Sequence, residues 1–188
     1  QQFDGAQALR WVEHQVAAGP RIPGTAAHRA IGDWLEAELR QRADSVEVQR
    51  FTHVSAAGDT LPLRNVIARF LPANPNRVLL LAHWDSKPHA ELDPDPARRS
   101  LPVPGANDGA SGVAVLLGVA NALRRAPPSL GVDLLFVDGE DYGSFEGESP
   151  DNLLGSRYFA ANLPPGYRPL FAVLFDMVGD RDQRFEQE

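Results

Sequence analysis

Residues 77–85 read RVLLLAHWD, from Arg77 to Asp85, and this stretch decides the fold. Its continuous apolar run marks a strand covered on both faces, because a half-exposed strand would alternate polar and apolar residues. Two later stretches have the same character, VDLLFVD (Val132 to Asp138) and LFAVLFD (Leu170 to Asp176). Between the first two, Ser111 to Arg125 carries Val115, Leu116, Val119 and Leu123 at helical spacing. A further helix is expected from Leu154 to Asn162. Buried strands alternating with helices give an α/β fold. The expectation is a three-layer α/β/α sandwich with a mostly parallel, mixed central sheet, as one domain over residues 1–188.

Working towards the N-terminus, residues 3–18 place Leu9, Val12 and Val16 on one helical stripe, which Gly19-Pro20 ends. A second helix runs from a Thr25 N-cap to Arg42, with Ile31, Trp34, Leu35 and Leu39 on its apolar face. Val46 to Phe51 and Asn65 to Phe70 are expected strands, and residues 86–105, rich in Pro and Asp, a long surface loop.

Composition narrows the chemistry. The chain of 188 residues has a formal charge of -7 and no basic stripe with interleaved aromatics, which argues against a nucleic-acid surface. No apolar run has the length of a membrane span. There is no cysteine, so disulfides, cysteine nucleophiles and Cys-based zinc fingers are excluded. The chain begins at Gln1, and export to the periplasm or the extracellular space is the expectation drawn from that start.

The polar residues fall where the strands end. The first strand ends in His83-Trp84-Asp85, the second in Asp138-Gly139-Glu140-Asp141 and the third in Asp176, while Asn107-Asp108 precedes the helix that starts near Ser111. In open α/β sheets ligands bind beyond the carboxyl ends of the strands, so these residues should converge. Each has an ordinary explanation alone. His83 could be a polar strand end, Asp108 an N-cap or turn residue, Glu140 and Asp141 a solvated acidic loop, Asp176 a strand-end cap. Converging carboxylates resist ionising together unless a cation neutralises them, and imidazole with carboxylates suits zinc. His14, His28 and His53 have ordinary surroundings, and His89 is a lesser ligand candidate. Ser111 lacks the G-x-S-x-G elbow of a serine hydrolase, and H-E-x-x-H, P-loop and G-x-G-x-x-G are absent.

The strings LAHWDSKP, PGANDGASGVAVLL, FVDGEDYG, LLGSRYFA and FDMVGD occur in this order. Together they resemble the zinc aminopeptidase-like, M28-type family, over roughly Pro20 to Asp180. That resemblance implies roles position by position. His83 and Asp176 match ligands of the first zinc of two-zinc aminopeptidases, and in the cyclases Asp176 matches part of a hydrogen-bonded acid network. Asp85 would orient His83. Asp108 matches the carboxylate that bridges two zincs or binds a single one, and Glu140 matches the general acid/base. Asp141 stands where the family usually has a glutamate ligand. The family draws a last histidine ligand from beyond the third strand, and no histidine follows His89. A C-terminal segment or second chain is therefore expected to supply it.

Within the family the chain resembles most the bacterial glutaminyl cyclase branch. The long link YGSFEGESPDNLL after Asp141, the pair Ser86-Lys87 and the segment GPRIPGTAAH carry this. Trp84 and Phe145 are placed as apolar walls for a glutaminyl side chain. The implied activity is zinc-dependent cyclisation of N-terminal glutamine on peptides or proteins, with ammonia released and one zinc. The alternatives are a two-zinc aminopeptidase and a metal-free binding domain that keeps the fold.

Overall fold

The computed structural model describes residues 3–144 and 149–184. β3 (Arg77–His83) and β4 (Gly131–Val137) pair in parallel at the centre of the sheet, from Arg77 opposite Gly131 to His83 opposite Val137. Side chains alternate between the two faces of each strand. Val78, Ala82, Leu134 and Phe136 thus meet one helix layer, and Leu79, Leu135 and Val137 the other. Both faces being covered, neither strand has a polar face to show, which is why the runs are continuous.

The first layer is built by α1 (Gly5–Ala17), α2 (Ala26–Arg40) and α3 (Ala110–Arg125). Their Trp11, Ile31, Leu35, Leu39, Val113, Leu116 and Leu117 close the larger core. Thr25 caps α2 by accepting the His28 N–H at 3.2 Å. The opposite layer is α4 (Leu154–Ala161), which sets Phe159 against Ile67, Leu79, Leu135 and Val137. Each fully buried Leu or Phe in these layers contributes about 1.5–3 kcal/mol relative to exposure.

The sheet runs β1-β2-β4-β3-β5, with β1 (Ser45–Val54), β2 (Thr60–Phe70) and β5 (Ala172–Leu174) completing it. The α/β/α layering and the mixed sheet follow the sequence expectation, and the parallel order holds for β4-β3-β5. The other half is antiparallel, because β1 and β2 form a hairpin whose second strand pairs antiparallel with β4. Three details differ from the sequence reading. Leu9 on α1 is 58% exposed, so the apolar stripe of that helix is only partly covered. His53 lies within β1 rather than after it. The expected buried strand at Leu170 to Asp176 is a three-residue strand with Leu170, Phe171, Val173 and Leu174 all exposed, since β5 pairs only with β3 among the described residues. No helix among the described residues is long and apolar enough to cross a membrane.

Candidate metal centre

Parallel pairing carries the last residue of β3 and the turn after β4 to the same edge. His83 ends β3, 1% exposed, and its Nε2 lies 2.9 Å from Asp108 Oδ1 and 3.5 Å from Asp176 Oδ1. Its Nδ1 lies 3.5 Å from Asp85 Oδ1. None of these approaches has hydrogen-bond geometry, so both ring nitrogens are buried without a hydrogen bond among the described residues. The contacts are electrostatic. Burial alone would lower the imidazole pKa, but Asp108, Asp176 and Asp85 outweigh it and hold it well above its usual value.

Asp85 is fully buried and accepts the N–H groups of Glu140 at 3.0 Å and Asp141 at 3.1 Å. One carboxylate thus faces His83 and fixes the Glu140-Asp141 turn. Burial opposes its ionisation, yet His83 and the two N–H groups keep its pKa below the usual range. Glu140 and Asp141 go the other way. Burial, with the surrounding carboxylates, lifts Glu140 to about 6 and Asp141 to about 7.

The loop before α3 supplies Asp108. Asp108 does lie in a turn, but the N-cap reading fails, because the N-cap of α3 is Gly109, at φ 84°, with no side-chain cap bond. Asp108 is free of that duty and turns towards His83. Ser111 Oγ accepts the Val178 N–H at 3.0 Å and Asn107 Oδ1 accepts the Gly179 N–H at 2.8 Å. These bonds clamp the turn after Asp176 to the loop that carries Asp108, and they occupy Ser111 in holding structure together.

Two sets of donors close within 4.8 Å: His83, Asp108 and Asp141, and His83, Glu140 and Asp176. Asp141 reaches the first set despite its shorter side chain, and its Oδ2 is buried without a hydrogen bond among the described residues. Orphaned nitrogen and carboxylate oxygen atoms facing one another are the arrangement a divalent cation satisfies, and the N/O donor set suits zinc. All six sequence candidates, His83, Asp85, Asp108, Glu140, Asp141 and Asp176, therefore meet at one edge. His89 does not join them; it is exposed and its Nδ1 lies 3.3 Å from the Ser100 carbonyl.

Trp84 is no substrate wall. It is fully buried, because the strand's alternation turns it into the core, where it stacks on His28 at 4.4 Å between ring centroids. Phe145 lies outside the described residues. His28 is not an ordinary helix-surface histidine either. It is 2% exposed, and its Nε2 lies 2.9 and 3.0 Å from the two oxygens of buried Asp138. Arg21 also escaped the sequence reading. Its guanidinium is fully buried and donates to the carbonyls of Trp84, Pro104 and Gly105.

Comparison with known proteins agrees with this geometry. The family model described as peptidase family M28 matches residues 65–187. A glutaminyl-peptide cyclotransferase of Drosophila melanogaster is 31% identical over 177 residues, covering 88% of this chain and 46% of its own. The crystal structure of Porphyromonas gingivalis glutaminyl cyclase superposes with a TM-score of 0.90 at 43% identity, over 95% of this chain and 62% of that one. A Zn-dependent exopeptidase from Parabacteroides distasonis gives a TM-score of 0.90 at 42% identity, over 95% and 63%. The chain spans about half the length of the Drosophila relative and under two thirds of each solved chain. Fold, donor set and family model converge on one assignment: the chain belongs to peptidase family M28.

Proposed function

We propose that this protein is a zinc-dependent glutaminyl-peptide cyclotransferase. The observation that carries this reading is how the cyclase-like segments meet beside the donor cluster. Lys87 Nζ donates to the Gly143 carbonyl at 2.6 Å, tying the long link after Asp141 to the end of β3. Next to it, Ser86 Oγ accepts the Arg21 N–H at 2.8 Å, bringing in the segment GPRIPG. The similarity to glutaminyl cyclases of Drosophila melanogaster and Porphyromonas gingivalis supports the same reading.

His83, Asp108 and Asp141 would hold the zinc. Bound there, zinc supplies Lewis-acid polarisation of the γ-carboxamide oxygen of an N-terminal glutamine. The remaining chemistry falls to side chains. The α-amine of the substrate attacks its own γ-carboxamide carbon, forming a five-membered lactam. Glu140 takes a proton from that amine and delivers it to the leaving nitrogen, which departs as ammonia. With its pKa lifted to about 6, Glu140 is a carboxylate at neutral pH and still basic enough for the transfer. Asp85 holds the Glu140 N–H and so aims the base.

One observation favours a second reading, a two-zinc aminopeptidase: Asp108, Asp141 and Asp176 all gather around His83, enough carboxylates to be shared between two ions, of which His83 would serve one. The same Glu140 would then deprotonate an attacking water. The deciding experiment measures ammonia from a Gln-initiated dipeptide and free amino acid from a Leu-initiated peptide, with zinc stoichiometry alongside. Ammonia release with about one zinc establishes the cyclase. Free leucine with two zincs, and no ammonia, overturns it.

A further inference from the structure

Five carboxylates, Asp85, Asp108, Glu140, Asp141 and Asp176, surround the imidazole of His83, and the guanidinium of Arg21 is buried beside them. Its side-chain hydrogen bonds go to main-chain carbonyls. Nε donates to Trp84 at 2.9 Å, Nη1 to Pro104 at 2.9 Å and Nη2 to Gly105 at 2.7 Å. Burying a guanidinium in this way is costly, and burial pushes its pKa down to about 10 while Asp85 and Asp108 pull it back up. Such a group persists where the surroundings need it.

Its three carbonyl partners show what it serves. Trp84 lies between His83 and Asp85. Gly105 lies three residues before Asp108, and its carbonyl also accepts the Ala110 N–H at 3.2 Å, closing the loop that presents Asp108. The main chain of Arg21 is itself held in place, its N–H given to Ser86 Oγ and its carbonyl accepting the Ser86 N–H at 3.2 Å. The fit around the fork is close. A Cβ on Gly105 would sit 2.5 Å from Arg21 Nη2, and one on Gly109 would sit 3.3 Å from it and 2.7 Å from the Asp85 carbonyl.

We propose that Arg21 is a positioning residue for the cation site: its planar fork spans from the end of β3 to the Asp108 loop and fixes the separation of the His83 and Asp108 donors. The inference rests on the metal reading given above. Lysine would keep the charge but, as a compact point charge, could not bridge the carbonyls of both segments in one rigid geometry.

The test is the zinc dissociation constant, measured by competition with a chelator, for the wild-type protein, Arg21→Met, Arg21→Lys and Arg77→Met. Arg77 lies at the opposite end of β3, paired with Asp133 at 2.6 Å, so its loss destabilises the fold away from the site. Arg21→Met is expected to weaken zinc binding about 10–100-fold, as outer groups that orient ligands do. Arg21→Lys should recover only part of the loss, and Arg77→Met should stay within about twofold of wild type at a lower melting temperature. Unchanged zinc affinity in Arg21→Met overturns the inference, as does an equal loss in Arg77→Met, which would tie affinity to stability in general. Should Arg21→Met fail to fold, Arg21→Lys decides: wild-type affinity overturns the inference and a loss of several-fold sustains it. A wild-type protein that binds no zinc overturns the metal reading and this inference together, whereas zinc binding indifferent to Arg21 overturns this inference alone.

Discussion

At the scale of single residues, the cluster costs stability that a cation would return. Glu140 and Asp141 titrate near 6 and 7 instead of near 4.5 and 3.8. Both pKa values are higher folded than unfolded. Between the two values the folded chain without zinc therefore binds protons that the unfolded chain has released. For these two groups, stability falls as pH rises from about 4 to about 7. Replacing Glu140 by Gln removes one such charge. It should stabilise the zinc-free protein at pH 8, relative to pH 5, by about 1–2 kcal/mol in urea denaturation with chelator present. The same substitution should lower turnover about 10²- to 10⁴-fold. A variant that loses turnover but gains no stability at pH 8 would mean that Glu140 is not held in the desolvated setting described. Five of the six candidates could be picked out from sequence because strand ends mark them, and Asp108 because it precedes the start of a helix. Arg21 and His28 could not, because their partners, main-chain carbonyls and Asp138, are distant in sequence and set by tertiary packing. Trp84 was placed wrongly for a related reason: adjacency to His83 says nothing about which face a strand residue occupies.

At the scale of elements, the apolar runs announced β3 and β4 correctly because both faces of each are covered. The third run was equally apolar, yet β5 is exposed. Composition gives a strand's preference for burial, and pairing decides whether it is met. The antiparallel β1–β2 hairpin was missed because the expected strands stopped at Phe51 and began at Asn65, whereas the observed ones extend to Val54 and from Thr60, leaving a connection too short for a parallel crossover. The start of α3 offers a sharper test of how elements make the site. Gly109 sits at φ 84° with the Asp85 carbonyl 2.7 Å from where a Cβ would lie. Gly109→Ala combines backbone strain with a clash and should cost about 1–3 kcal/mol of stability. Because Asp108 precedes it directly, zinc affinity should fall in the same variant. Thermal melts and chelator competition on Gly109→Ala check both, and unchanged affinity would detach Asp108 from the metal.

Across the whole molecule, the two ends of the parallel strands divide the labour. The carboxyl ends gather unsatisfied donors, while at the other end Arg77, Tyr167 and Asp133 saturate one another, Tyr167 donating to Asp133 at 2.8 Å and Arg77 binding it through two nitrogens. One end is arranged for chemistry and the other for cohesion. The outer side of β5 belongs to neither. Among the described residues no strand pairs with it there, and Leu170, Phe171, Val173 and Leu174 lie exposed in and before it. Open strand margins of this kind recruit further strands, from any chain that can lie alongside. Expressed as these residues alone, the protein should self-associate with rising concentration, and Val173→Lys should suppress that in sedimentation velocity. A Val173→Lys variant that associates as wild type does would move the sticky surface elsewhere; one that stays monodisperse would make this short strand the seam along which the molecule expects company.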